Sequence, residues 1–309
     1  MTTRRPVKNV AASVRDRLLA ASKDQGVSFN EVLRRYAMER LLYRISLSPH
    51  RQTLVLKGAM LFLAWTGHDF RPTKDVDFLG SGSDAPEDVA TLFRDICAFT
   101  IPEPDGIAFD PDSVRAEQIR EEQVYGGVRV TLTARLASAR IPVQADIGFG
   151  DAVTPAAETV RFPCVLTDST VPDVRAYSRY SVVAEKLEAM VKLGVANSRM
   201  KDFYDLLVLS RRFEFEGATL VKAITATFKR RNTPLPSEQA LVFGQDFANG
   251  PAMQGLWQAF LNRTRLVETA SAEFPDVMTE LRAYLVPAVL AVQHGAGFGG
   301  RWLPGGPWQ

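Results

Sequence analysis

The sequence predicts an α+β fold: a mixed β-sheet domain with flanking helices, followed by a C-terminal helical bundle. Three observations carry that reading. Residues 10–47 space their apolar side chains as helices do. Between Gln52 and Ile147 short alternating or continuous apolar runs replace that period, and from Tyr180 onward the helical period returns. A chain of 309 residues that is 46% apolar can bury a large core in one domain or two ordinary ones. The expected division is an α/β domain with N-terminal helices over 1–170, a helical domain over 171–294, and a Gly-rich flexible tail or expression remnant over 295–309.

In the first segment Val14, Leu18 and Ala21 fall on one helical face and Gly26 can end the helix. Ser28 followed three residues later by Glu31 has the spacing of a capping box, ahead of Val32, Tyr36, Met38 and Leu42. Thr53 to Leu56 reads as a buried strand, Ala59 to Trp65 as a helix, and Asp75 to Leu79 as an alternating strand. Asp84 and Pro86 open a helix that runs to Phe99. Residues 114–121, 127–136 and 142–149 read as successive strands, with Gly126-Gly127 acceptable as a hairpin turn. Helices then follow over 182–193, 203–213, 218–230, 237–246, 251–262 and 272–292. Six Gly and two Pro after residue 294 suggest mobility.

Composition excludes several classes. The net charge of +2 is not that of a strongly basic nucleic-acid coat or an acidic disordered tail. Two cysteines, Cys97 and Cys164, are too few for a disulfide scaffold or a cysteine zinc site. The histidines His50, His68 and His294 lack zinc spacing. No run of about 18 apolar residues occurs, and the first residues are basic without an apolar signal core. The expectation is a cytoplasmic protein without a membrane segment.

Four groups of residues could carry chemistry. Asp75 and Asp77 share a strand face while Val76 and Phe78 take the other. Paired carboxylates repel unless a cation sits between them, and hard oxygen donors suit Mg²⁺. A lone pair of this kind is more often two solvated acids on an edge strand or turn. Asp146 lies in an apolar strand opposite Val143, Ala145 and Ile147, and would complete a triad for two metal ions if its strand neighbours that of Asp75. Lys57-Gly58, where a strand runs into a helix, could offer a cation and backbone N–H groups to phosphate. Glu185-Lys186-Leu187 and Arg199-Met200-Lys201-Asp202, with Asp205 on the same helix face as Asp202, form the fourth group. Aspartates near a helix start also serve the helix dipole.

Taken in order, the Lys57-Gly58 turn, the Arg71-x-Thr73-Lys74-Asp75-Val76-Asp77-Phe78 stretch, the strand acid Asp146, Glu185-Lys186-Leu187 and the Arg199 to Leu206 stretch resemble the AbiEii/MenT nucleotidyltransferases. These are toxin components of toxin–antitoxin and abortive-infection systems within the polymerase-beta-like superfamily. The resemblance spans about residues 10–215. One departure is Ala59 where the wider superfamily places Ser or Gly. Ala59 has no hydroxyl for phosphate, which leaves that work to Lys57 and backbone amides.

The resemblance implies a nucleotidyltransferase-like sheet domain and a reaction that moves NMP from an NTP to RNA, most often the 3′ end of tRNA, blocking translation. It implies Mg²⁺, in a two-metal site, on Asp75, Asp77 and Asp146, with Lys186 and Asp202 also catalytic. Lys57, Gly58, Thr73, Lys74 and Lys186 would contact the nucleotide. A cognate antitoxin partner, a free toxin that is a monomer, and Thr73 as a regulatory phosphosite are further implications. Ten of the cations between Arg175 and Arg231 (Arg175, Arg179, Lys192, Arg199, Lys201, Arg211, Arg212, Lys229, Arg230, Arg231) could hold an RNA backbone or form a solvated face. The rival readings are a small-molecule nucleotidyltransferase and a catalytically silent nucleotide-binding module.

Overall fold

A computed structural model describes residues 9–67, 73–119, 126–236, 244–264, 266 and 273–309. It divides into two compact units, Met1–Gly150 with Glu158–Ala176, and Asp151–Ala157 with Tyr177–Gln309. Arg71, His68, the end of the strand expected over 114–121, the start of the helix expected over 272–292 and most of the helix expected over 237–246 lie outside the described residues.

The first unit opens with α1 (Val10–Asp24) and α2 (Phe29–Leu47). The Ser28 and Glu31 capping box forms as the spacing predicts, with both reciprocal bonds made. Seven strands form one sheet: β1 (Leu54–Lys57), β2 (Val76–Gly80), β3 (Ile107–Ile119), β4 (Gly127–Leu136), β5 (Ala139–Phe149), β6 (Glu158–Arg161) and β7 (Asp173–Ala176). Their order is β3-β4-β5-β2-β1-β7-β6. The sheet is mixed: β2 runs parallel to β5 and β1 parallel to β7, while the other neighbours are antiparallel. β6 and β7 carry the sheet past residue 170. Gly127, expected in a hairpin turn, is instead the first residue of β4, opposite Ile119.

One face of the sheet is covered. Val76, Phe78, Val128, Val130, Val143, Ala145 and Ile147 are all buried there. The covering helices are α2, packed on β5 and β7, and α4 (Pro86–Ala98), packed on β3 and β4. Asp84 gives α4 no side-chain cap; the helix starts on Pro86 alone. Buried charges on α2 tie down the loops. Arg44 pairs with Asp105 at 2.7 Å, Arg40 donates to the Thr170 carbonyl, and Glu39 accepts the Val165 N–H. The other face, with alternating partly exposed positions on β2, β4 and β5, carries the polar side chains. The short helix α3 (Met60–Thr66) follows β1 and ends at Gly67, whose φ of 77° suits glycine.

The second unit is helical: α5 (Arg179–Leu193), α6 (Met200–Arg212), α7 (Gly217–Arg230), α8 (Gln245–Asn249), α9 (Pro251–Thr264) and α10 (Phe274–Gln293). Phe203, Trp257, Phe260 and Phe274 meet in its core at ring separations of 5.2–5.7 Å for the contacting pairs Phe203–Phe274, Trp257–Phe260 and Trp257–Phe274. The segment after residue 294 is not a loose tail. β9 (Arg301–Trp302) pairs with β8 (Phe215–Glu216), and Trp302 is buried with its Nε1 donating to the Ser210 carbonyl at 2.7 Å. Trp308 stacks on Tyr284 and donates to its carbonyl. A few large aromatic anchors outweigh the entropy of the glycines between them.

Candidate active site

Strand register assembles the site. On the open face, Lys57 of β1 stands opposite Asp77 of β2, Asp77 opposite Asp146 of β5, and Asp146 opposite Arg129 of β4. Four neighbouring strands thus set a row of side chains with charges plus, minus, minus, plus. Val76 and Phe78, fully buried on the covered face, fix the strand so that Asp77 must point outward. Asp75 lies two residues earlier, just before β2, and accepts a hydrogen bond from the Thr73 hydroxyl at 2.8 Å.

One carboxylate oxygen from each of Asp75, Asp77 and Asp146 lies within 4.8 Å of the other two, and all three residues are half-buried. Like charges at that spacing repel by roughly 3–4 kcal/mol per pair at an effective dielectric near 20. Asp146 is held by Arg129 in a two-pronged bond, Nε to Oδ1 at 2.9 Å and Nη2 to Oδ2 at 2.7 Å, with the Gln144 amide alongside. That bond to Asp146 holds the guanidinium charged even more firmly than usual, against partial burial. Gly58 has φ of 74°, and a Cβ there would lie 1.9 Å from Oδ2 of Asp77. The close approach of backbone to carboxylate therefore requires glycine on both steric and conformational grounds. Three convergent hard oxygen donors, with room kept beside them by a glycine, fit a divalent cation such as Mg²⁺.

A second constellation belongs to the helical unit. Lys186 on α5 meets Asp202 and Asp205 on α6, each at 2.7 Å, and Arg199 bonds Asp202 at 2.9 Å. The two aspartate side chains are 3% and 2% exposed, so both carboxylates are buried. Burial favours the neutral form of Asp202, but Lys186 and Arg199 outweigh it and hold the carboxyl below the usual carboxylate range. In the same unit, Arg231 is buried among Asp151, Glu185 and Glu188, and its pKa is raised despite burial.

The structure thus brings Asp75, Asp77 and Asp146 together, sets Lys57, Gly58 and Thr73 beside them, and leaves Lys74 exposed on the segment entering β2. It joins Lys186 to Asp202 as the helical spacing suggested. Arg129 and Gln144 were missed. The ten-cation cluster is partly dissolved: Arg199, Arg211 and Arg231 are paired with acids, Arg179 lies over Phe213, and Arg175 donates to the Gln52 carbonyl. Among the described residues no helix is long and apolar enough to cross a membrane.

Three carboxylates brought together on a mixed sheet are compatible with a divalent metal, and the family match sets the class as a nucleotidyltransferase. The chain belongs to the AbiEii family, nucleotidyl transferase toxins of type IV toxin–antitoxin systems, whose sequence model matches residues 40–282. That membership implies an NTP substrate and an antitoxin partner. The fold is shared with the crystal structure of JHP933 from Helicobacter pylori at 13% identity and a TM-score of 0.51, covering 87% of this chain and 95% of that one. A second H. pylori structure, described as a candidate nucleotidyltransferase, aligns at 13% identity and a TM-score of 0.47, over 93% of this chain and 98% of the other. No curated protein matches the sequence significantly.

Proposed function

We propose that this protein is a Mg²⁺-dependent toxin that transfers a nucleoside monophosphate from an NTP to RNA, with the 3′ end of tRNA as acceptor and arrested translation as the result. The observation that supports it most is the convergence of Asp75, Asp77 and Asp146 within 4.8 Å on the open face of the sheet. Mg²⁺ held by these three carboxylates, in a two-metal arrangement, would polarise the α-phosphate and neutralise charge on the leaving pyrophosphate. The acceptor hydroxyl bonds to the α-phosphorus as the bond to pyrophosphate breaks, and Asp146 helps to deprotonate that hydroxyl. Lys57 and Lys74 meet triphosphate charge as point cations. Lys186 is assigned to the nucleotide as well, with Asp202 and Asp205 fixing its ammonium.

Thr73 fits a control point. Its hydroxyl donates to Asp75, so a phosphate there would delete that donor and set roughly −1.5 to −2 of charge beside the acids. Mass spectrometry of protein co-expressed with its antitoxin checks this: phosphate on Thr73 in the silenced protein is expected, and full silencing with Thr73 unmodified contradicts it. We read the free toxin as a cytoplasmic monomer.

The activity test is direct. Purified protein is incubated with Mg²⁺, each α-labelled NTP, and either total tRNA or a panel of hydroxylated small molecules. Label in tRNA that disappears with EDTA is expected. Label only in small molecules would move the acceptor assignment, and no label in any arm would remove the enzymatic reading.

A further inference from the structure

Asp146 carries a cation on both of its carboxylate oxygens. Arg129 engages both of its oxygens, and the Gln144 amide lies 3.2 and 3.4 Å from the same two atoms. A carboxylate has about four lone-pair sites, and these contacts occupy them. Asp75 receives a neutral hydroxyl instead. The arrangement is built into the hairpin, because Leu136 pairs with Ala139 across the β4–β5 turn and the register then sets Arg129 directly opposite Asp146. Yet the Arg129 side chain remains 36% exposed, against 14% for Asp146, so the guanidinium can leave without opening the core.

We propose that Arg129 is a resident counter-cation of Asp146, a positioning residue that neutralises this acid in the metal-free protein and is displaced when a divalent ion loads. The proposal rests on the metal-dependent reading above. It follows that the protein binds free metal weakly, since the ion must break a charge-assisted two-pronged bond to gain its third carboxylate. A nucleotide changes that balance. Its triphosphate brings anionic oxygens that suit the ion, and phosphate is the other group whose geometry matches a released guanidinium. Arg129 would thereby make metal loading depend on nucleotide, and would keep Asp75, Asp77 and Asp146 from holding a metal ion idly.

The test uses Mn²⁺ as probe on the full chain, with affinity read by electron paramagnetic resonance in wild type, Asp75→Asn, Arg129→Gln and Arg129→Lys. Without nucleotide, Arg129→Gln is expected to bind Mn²⁺ about tenfold more tightly than wild type, the scale of one charge-assisted hydrogen bond. Arg129→Lys, which keeps charge but loses the second prong, should fall between them. A non-hydrolysable NTP should narrow the gap between wild type and Arg129→Gln. Unchanged or weaker binding in Arg129→Gln overturns the proposal, because a residue that merely orients Asp146 for metal gives that sign. Loss of fold in both Arg129 variants also overturns it, by making Arg129 a structural pillar. If Asp75→Asn leaves wild-type Mn²⁺ binding untouched, the metal reading itself fails and this inference with it. If Asp75→Asn abolishes binding while Arg129→Gln gains nothing, the inference alone fails.

Discussion

The two charged clusters of this protein are made from the same residue types and are built for opposite ends. On the sheet, three half-buried carboxylates crowd together with Arg129 on one of them and Lys57 opposite another. In the helical unit, Lys186 and Arg199 face the buried carboxylates of Asp202 and Asp205 in a charge-balanced group. Balance of charge around buried acids holds helices α5 and α6 together. Crowding of like charge on an accessible face does not stabilise a fold, and it makes sense where a cation is to be received.

The contrast can be broken first at the sheet. Asp77→Ala should cost on the order of a thousandfold in transfer, the worth of several kcal/mol of charge stabilisation, while circular dichroism shows the fold intact. Val76 and Phe78 are untouched by that change, which is why the fold should survive. The helical cluster should answer in the other currency. Lys186→Ala removes the cation shared by two buried carboxylates and should cost roughly 3–5 kcal/mol of stability in urea melts. Adding Asp202→Asn and Asp205→Asn to it should recover much of the loss. Activity loss in Lys186→Ala alone therefore says little, and transfer by the stabilised triple variant is the sharper readout of a nucleotide role.

Gly58→Ala comes next. A Cβ 1.9 Å from the Asp77 carboxylate, on a backbone with φ of 74°, should cost about 1–2 kcal/mol from the left-handed conformation alone and displace Asp77 as well. Transfer should fall further than stability. The smallest effect is on pH. Asp202 is held below its unfolded value of about 3.9, so its contribution is complete above about pH 4 and is lost as pH falls below that. The stability gap between wild type and Asp202→Asn should hold down to about pH 4 and shrink as pH falls further.

Much of this was legible in the chain. Alternation around Asp77 and Asp146 gave both acids the right face, since a period of two leaves a strand no choice. The capping box at Ser28 and Glu31 marked α2 for the same local reason. Arg129 was not legible because its role depends on register, and the β4–β5 turn hides. Its two residues are Ala137 and Ser138, with Ala137 at φ of 50°, where hairpins usually advertise Asn-Gly or Asp-Gly. Once that turn is placed, counting back from Leu136 and forward from Ala139 pairs Arg129 with Asp146. The C-terminal segment misled for a different reason. Glycine content measures the entropy to be lost, whereas Trp302 and Trp308 supply the burial that overcomes it.

The central claim is that the sheet acids are crowded in readiness for a cation, and thermal melting of wild type and Asp75→Asn, with EDTA and with Mg²⁺, tests it most directly. Asparagine still accepts the Thr73 hydroxyl, so only the charge is removed. In EDTA, Asp75→Asn should melt at or above the wild type, because one repelling charge is gone. Mg²⁺ should raise the wild-type midpoint through preferential binding to the folded state and leave the variant unmoved. A variant that melts lower in EDTA and shifts with Mg²⁺ as the wild type does would contradict the account, and would make the triad a structural feature of the sheet.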